Sequence, residues 1–319
     1  MDDLQSYTSK EIISYPFMKI INIPLVKPIW HTMVKIWPKF CCKLLYFKAV
    51  PNSRWLNLDT PQDLRDINEK IQYLKFHSDM NEWARLADKY AVRKYVKERG
   101  LEEYLVKLYG KYDTPEQMIA DWDHLPDRFV LKSNNGCGTI KIISDKRGVN
   151  KEKIRNLTAT WLSQKDTGIG TVELHYTHIK PCLIAEELLI DPSVSDYSRS
   201  LIDYKLWCFH GKPYGFFVVY DRDIQTGEHI FDFYSLDWEQ QSEKMHQQFH
   251  RHPIPRPKNL NKMLDIAAVL SKGHPQMRVD MYNIDGRIYL GELTMTSQGG
   301  YMDYFSKELL EDMGKHINL

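Results

Sequence analysis

The sequence has few of the features that classify a chain at once. Its 319 residues hold only five cysteines, at 41, 42, 137, 182 and 208, an odd number without repeated spacing. That argues against a disulfide-built secreted scaffold and against a structural zinc site, and suits a chain kept reduced in the cytoplasm. No uninterrupted apolar run approaches the ~18–20 residues of a spanning helix, and no apolar signal-type region with a cleavage site opens the chain. The formal net charge is only +1, and no basic stripe or reading motif suggests nucleic acid. A GxxxxGK[ST] phosphate loop, an internal repeat and regular βαβ alternation are missing too.

One absence is local. Between Phe17 and Val50 there is no acidic residue, while lysines stand at 19, 27, 35, 39, 43 and 48 among Ile, Leu, Val, Trp, Phe and Tyr. Two readings stay open. The segment is a basic helical hairpin, interrupted near Pro38 and packed on its own domain, or it makes peripheral contact with an anionic bilayer.

What is present describes a globular chain. Hydrophobic residues make up 43% and charged residues 27%, and the length allows one large core or two to three modest ones. The 19 Tyr and 8 Trp are compatible with carbohydrate stacking and equally with ordinary packing. The Thr60-Pro61 pair, followed by Leu64, Ile67, Ile71 and Leu74, predicts a helix. A second helix is expected from Asn81 or Trp83 to Glu98, ended by Gly100, and shorter ones at Thr114-Pro115 and over 152–162. Strands are expected at 129–132, 139–144, 182–190, 201–209 and 214–220. The stretch 237–257 reads as a polar loop with one short helix, and 259–270 as an amphipathic helix. A hairpin then pairs 277–283 with 287–294 across Asp285-Gly286. Residues 1–80 are expected to form a helix-rich basic segment and 81–319 a catalytic region, itself split at about 126–182 and 183–319.

Three stretches carry candidate chemistry. In RFVLKSNNGCGTIKIIS, Lys132 ends a strand beside a turn in which Gly136 and Gly138 would let backbone amides approach phosphate oxygens. An ordinary hairpin would look the same. In CLIAEELLID, Glu186 and Glu187 interrupt an apolar strand, which is costly unless they are paired or functional. In RVDMYNIDGRIYLGELT, Arg278 and Asp280 share one strand face, and Glu292 and Thr294 share a face of the return strand. Two readings stay open: Asp280 and Glu292 come within reach of one Mg²⁺, with Arg278 on a transferring phosphoryl group, or the face is solvated and carries an Arg278–Asp280 pair. Asp203 and Lys205 share a face of another strand, where an ion pair is the plain account. Neither His210 nor His229 stands out as a general base.

Taken in order, these stretches resemble an ATP-grasp enzyme. Asp88-Lys89 with Arg93 and Gly100 looks like the helix whose lysine contacts ATP phosphates, and FVLKSNNGCGTIKII like the second phosphate-binding strand with its mobile loop. Glu186, Glu187 and Leu189 look like the adenine hinge, and Arg278-Val279-Asp280 with Gly291-Glu292-Leu293-Thr294 like the catalytic and metal-binding hairpin. More closely, the chain resembles the TupA-like ATP-grasp proteins of bacterial cell-surface polysaccharide and teichuronopeptide biosynthesis. The likeness runs roughly from Trp83 to Gly314 through DKYAVR, FVLKSNNGCG, LIDYKLWCFHGKP, RVDMY and GELTMTSQGG. It departs at Thr294, where the family pattern Glu-x-Asn places Asn, and at Asn134, Asn135 and Cys137, where relatives carry more glycine.

The resemblance implies an α/β (α+β) ATP-grasp fold, two subdomains clasping ATP, with ATP and Mg²⁺ as cofactors. It implies phosphate contacts at Lys89, Lys132, Asn135, Gly136 and Gly138, hinge contacts at Glu186, Glu187 and Leu189, and a nucleotide contact at Lys205. Asp280, Glu292 and Thr294 would hold the metal, with Arg278 and Lys132 catalytic. The implied reaction is carboxylate–amine ligation through an acyl phosphate, on a glycan or lipid-linked glycan precursor bearing a carboxylate, with an amine such as an amino acid. A cytoplasmic protein, at the inner face of the membrane if residues 17–50 touch lipid, is expected. Two alternatives are a glycosyltransferase of the same pathways, using Asp221-Arg222-Asp223 as a metal triplet, and a non-catalytic glycan-binding or scaffold protein.

Overall fold

A computed structural model describes residues 16–51, 53–136, 138–194, 196–223, 226–246 and 252–319. Cys137, counted above in the glycine loop, lies outside the described residues, as do positions 247–251 of the expected 237–257 loop.

Three helices open the fold: α1 (Pro16–Ile21), α2 (Lys27–Ile36) and α3 (Pro38–Ala49). Prolines in the first turns of α2 and α3 sit where no amide partner is needed, and Trp37 turns the chain between them. Their inward residues Trp30, Val34, Cys41, Cys42 and Leu45 form a core with Leu56, Ile169, Val172 and Tyr301. The interruption near Pro38 is therefore where the sequence puts it.

Helix α4 (Ile67–His77) begins seven residues later than its Thr60 signal. Asp66 takes the cap instead, accepting from the Glu69 amide at 2.8 Å. Glu69 in turn binds the Arg54 guanidinium at 3.0 and 2.9 Å, tying the 54–65 stretch down as a turn. The single helix expected to Glu98 is two, α5 (Met80–Ala87) and α6 (Val92–Glu98). The Asp88 carboxylate accepts from the amides of Tyr90 and Ala91, and the Lys89 amide leaves the helix to bind the Asn134 carbonyl at 3.1 Å. Apolar periodicity continues across this break, so it could not reveal it.

A four-stranded antiparallel sheet follows, in the order β1–β4–β2–β3. Its strands are β1 (Leu108–Tyr112), β2 (Phe129–Ser133), β3 (Ile140–Ile143) and β4 (Leu183–Glu186). Helices α7 (Pro115–Ala120), with a capping box between Thr114 and Gln117, and α8 (Lys151–Leu162) lie against it. Trp122, Phe129, Leu131, Ile154 and Trp161 fill the space between. Residues 108–112 and 183–186, outside the 126–182 interval, thus hydrogen-bond into the glycine-loop sheet. Strand β4 is shorter than the expected 182–190. It stops at Glu186, and the Glu187 amide donates to the Lys107 carbonyl at 2.9 Å.

A five-stranded antiparallel sheet, β7–β6–β5–β8–β9, carries the larger core. It comprises β5 (Asp203–Phe209), β6 (Lys212–Tyr220), β7 (Ile230–Tyr234), β8 (Met277–Ile284) and β9 (Arg287–Thr294). Helix α9 (Leu260–Ser271) packs on β5, β6 and β8, and α10 (Lys307–Lys315) packs on α4. Asp285 and Gly286 both have positive φ, +49° and +93°, the twist a tight two-residue hairpin requires. Strand β7 and helix α10 were not anticipated.

Candidate functional site

Each sheet buries one cluster of opposite charges. In the four-stranded sheet, Lys132 near the end of β2 meets Glu186 at the end of β4, because β2 and β4 are paired with Lys132 opposite Ile184. The Lys132 ammonium donates to one Glu186 oxygen at 3.0 Å, and Arg93 of α6 donates to the other at 3.2 Å. A second Arg93 nitrogen reaches the Val106 carbonyl at 2.9 Å. Burial draws the Arg93 pKa down, against the opposing pull of Glu186. Both Glu186 oxygens are thus engaged in ion pairs. The carboxylate does not stand free for an adenine amine, whereas Glu187 and Leu189 are half-buried beyond the strand end.

The loop after β2 is fixed at its base. Asn134 accepts from the Cys182 amide at 2.8 Å, donates to the Lys180 carbonyl at 3.1 Å, and gives its own carbonyl to Lys89 N–H. The Lys89 ammonium donates to the Gly136 carbonyl at 2.5 Å. Of the two loop glycines only Gly138 uses the left-handed region, at φ +81°. At Gly136 a Cβ would meet Thr167 at 3.4 Å, an ordinary contact, so the expectation of unusual dihedrals holds at Gly138 alone. Asn135 is buried beside them.

In the five-stranded sheet the charges are denser. The ladder sets Lys205 of β5 opposite Asp280 of β8, and Asp280 opposite Glu292 of β9, with Arg278 opposite Thr294. A bulge at Gly291, between the pairs Asp280–Glu292 and Met281–Leu290, restores this register. Arg278 grips Asp280 with two bonds of 2.7 Å, and its other donors reach the hydroxyls of Thr294 and Ser297 at 3.1 Å. Lys205 is shared by Asp280 at 2.6 Å and Asp203 at 2.5 Å.

The two carboxylates on Lys205 are not equivalent. Burial alone would raise Asp280, but Arg278 and Lys205 outweigh it and hold its pKa below the ordinary value. Asp203 has no arginine grip, so burial, reinforced by the Asp280 charge, raises its pKa despite Lys205. One of its oxygens is buried without a hydrogen-bond partner. The Lys205 pKa is raised: burial pulls it down, and the two carboxylates more than compensate. Near them the Tyr282 phenol is pushed up, first by the charge of Asp203 and then by burial.

These contacts bring together most of the residues singled out in the sequence: Lys132 with Glu186, Lys89 with Gly136, and Lys205, Arg278, Asp280, Glu292 and Thr294 on three adjacent strands. Arg93's hold on Glu186, the Ser297 hydroxyl and the open Asp203 oxygen were not foreseen. Asp203 had a signal in its even spacing from Lys205, and Arg93 had one in its place beside Asp88-Lys89, though not for this partner. The Asp221 and Asp223 triplet faces Arg199, at 3.5 and 3.6 Å, within a turn. His210 accepts from the Asn318 amide at 3.1 Å, and His229 lies 3.0 Å from the Gly227 carbonyl.

A family model described as TupA-like ATPgrasp matches residues 69–318. The chain belongs to this family. Its mixed helices and two antiparallel sheets are those of an ATP-grasp fold. No curated protein matches the chain. Among solved structures, it is similar to D-alanine–D-alanine ligase from Bacillus anthracis, at 15% identity over 79% of this chain and 65% of that one, with a TM-score of 0.38. The Helicobacter pylori D-alanine–D-alanine ligase gives 14% identity, 79% and 65% coverage, and a TM-score of 0.41. Phosphoribosylamine–glycine ligase from Thermotoga maritima gives 15%, 70% and 52%, and 0.41. The TupA-like chain therefore spans about two thirds or less of these relatives, and superpositions this loose carry no residue roles.

Proposed function

We propose that this TupA-like ATP-grasp chain is an ATP-dependent carboxylate–amine ligase. The observation that carries the reading is the array on β5, β8 and β9, where Lys205, Arg278, Asp280, Glu292 and Thr294 stand in register. A carboxylate is a poor acyl donor, because it is weakly electrophilic and its oxide is a poor leaving group. In the proposed reaction its oxygen attacks the γ-phosphorus of ATP and ADP departs. The amine then attacks the acyl carbon, inorganic phosphate leaves with the C–O bond electrons, and the amine loses a proton.

Lys89, Lys132, Asn135, Gly136 and Gly138 would face the phosphates, and Glu187 and Leu189 would line the adenine. Glu186 is assigned to holding Lys132 and Arg93 in place. Lys205 would meet the nucleotide, and Arg278 would steady the acyl phosphate. Asp280, Glu292 and the Thr294 hydroxyl are all hard oxygens of the kind Mg²⁺ takes, but Arg278 and Lys205 hold both Asp280 oxygens and Arg278 the Thr294 hydroxyl, so these bonds would have to open for the ion to bind. Among the described residues no three His, Cys, Asp or Glu side chains could hold an ion by themselves. Phosphate oxygens would therefore complete the shell, as magnesium commonly requires. Bound there, the ion would neutralise charge on the transferring phosphate.

The resemblance to proteins of surface-polysaccharide biosynthesis favours a finer reading, in which the acid is a uronic acid of a bacterial surface polysaccharide and the amine an amino acid. A lipid-linked acceptor would put the enzyme at the cytoplasmic face of the membrane. The test is ADP release in the presence of candidate acid and amine pairs. Release that needs both partners is expected, with an amide as product. Turnover of a nucleotide sugar without ATP consumption would overturn the ligase in favour of a glycosyltransferase.

A further inference from the structure

Among the described residues, fourteen large apolar side chains are exposed, and nine of them lie between positions 20 and 55. The other five are scattered from residue 90 onward, so the chain concentrates its exposed apolar surface in the N-terminal helices. Single exposed apolar residues are normal, whereas a concentration marks an interaction surface. Helical spacing accounts for it. In α2, Trp30 and Val34 turn inward while Ile29 and Ile36, seven apart, face out. In α3, Cys41, Cys42 and Leu45 turn inward while Phe40 and Phe47, again seven apart, face out. Trp55 packs against both phenylalanines, with ring centroids 5.8 and 6.1 Å away, and is itself 48% exposed. Trp37, at the junction of the two helices, is 57% exposed. Each helix therefore has an apolar stripe on both its inner and its outer side, where a surface helix has one.

The charge of this stretch selects the partner. Residues 16–58 contain six lysines and no acid, in a chain whose net charge is only +1. Lys39 pairs with Asp59 at 2.6 Å and Lys35 lies 3.8 Å from Asp166, so the charge offered outward comes from the other four. Tryptophan, phenylalanine and lysine on one exposed stretch match the boundary between lipid headgroups and acyl chains. No helix among the described residues is long and apolar enough to cross a membrane, so the match is to a surface. We infer that residues 17–55 bind an anionic lipid bilayer, with the exposed aromatic rings entering the headgroup region and the lysines pairing with lipid phosphates. The inference is independent of the ligase assignment, and it supplies that reading with the means of reaching a lipid-linked acceptor.

The test is co-sedimentation of the full chain with phosphatidylcholine vesicles, with and without phosphatidylglycerol. Binding is expected only with the anionic lipid and is reversed by high salt. Trp37→Ser with Phe40→Ser, and separately Lys27→Glu with Lys48→Glu, should each lower the bound fraction about tenfold or more. Both lysines are exposed and make no ion pair among the described residues, so that variant remains informative if the serine pair misfolds. Nucleotide binding stays unchanged in both, which separates failure here from failure of the ligase reading. A wild-type chain that stays in the supernatant, or that binds neutral vesicles equally, overturns the inference. So does a dimer, seen by light scattering, that the serine variant dissociates without vesicle binding, because the patch would then belong to a second copy.

Discussion

The two buried charge clusters differ in balance. In the four-stranded sheet one carboxylate, Glu186, is held by two cations, Lys132 and Arg93, with Lys89 on the adjoining loop. In the five-stranded sheet Asp203, Asp280 and the neighbouring Glu292 are matched by Lys205, Arg278 and Arg222, whose charge also acts on Asp203. The first has positive charge to spare and suits an anion. The second is balanced within itself. On the proposed ligase reading, the positive surplus of the first cluster would meet the polyphosphate and the carboxylates of the second the metal.

The comparison is broken most severely at Asp280, the hub of the second cluster. Asp280→Leu would leave Lys205 and Arg278 buried without their shared partner, at a cost of about 3–5 kcal/mol in urea unfolding. Loss below about 1 kcal/mol would mean the cluster is not closed as described. Glu186→Gln should cost less, about 1–3 kcal/mol, since Lys132 retains access to water at 24% exposure. The same variant should tighten magnesium-free ADP binding, because the cations lose their internal competitor. Weaker ADP binding would show that Glu186 itself meets the nucleotide.

The smallest effect separates the two carboxylates on Lys205. The Asp280 pKa is lowered, so its contribution to stability is present above the unfolded value of ~3.9 and is lost as pH falls through the folded one. The Asp203 pKa is raised, so its contribution is greatest below ~3.9 and is lost as pH rises through the folded value. Asp203→Asn should therefore be neutral or stabilising by up to about 1 kcal/mol at pH 7, with the gain fading toward pH 4. Thermal unfolding across that range checks the sign. Clear destabilisation at pH 7 would make Asp203 a required partner of Lys205.

How much of this the sequence disclosed depends on how local each cause is. The β8–β9 hairpin was legible because alternation and Asp285-Gly286 act within eighteen residues, but the Asp280–Glu292 pairing depends on the Gly291 bulge, without which the turn register would set Asp280 opposite Gly291. The Arg93–Glu186 pair was not legible, because it joins residues 93 apart in sequence that only the fold brings together. The break between α5 and α6 was hidden for the same reason, since its outside partner is the carbonyl of Asn134. Strand β7 was missed because IFDFY follows a polar loop and carries a buried Asp232 held by Gln240 and Ser242, contacts that only the fold creates. The phosphate and metal candidates were visible as residue types in order. Which of their charges would be spoken for was not.

The central claim is that these clusters divide one task, phosphate on one sheet and metal on the other. Calorimetry of ATP binding, with and without Mg²⁺, tests it on wild type, Lys132→Ala and Glu292→Ala. The account predicts tight magnesium-dependent binding by wild type. Lys132→Ala should weaken it about tenfold or more with or without the metal, and Glu292→Ala only when the metal is present. Folded wild-type protein that takes up no ATP at all would contradict it.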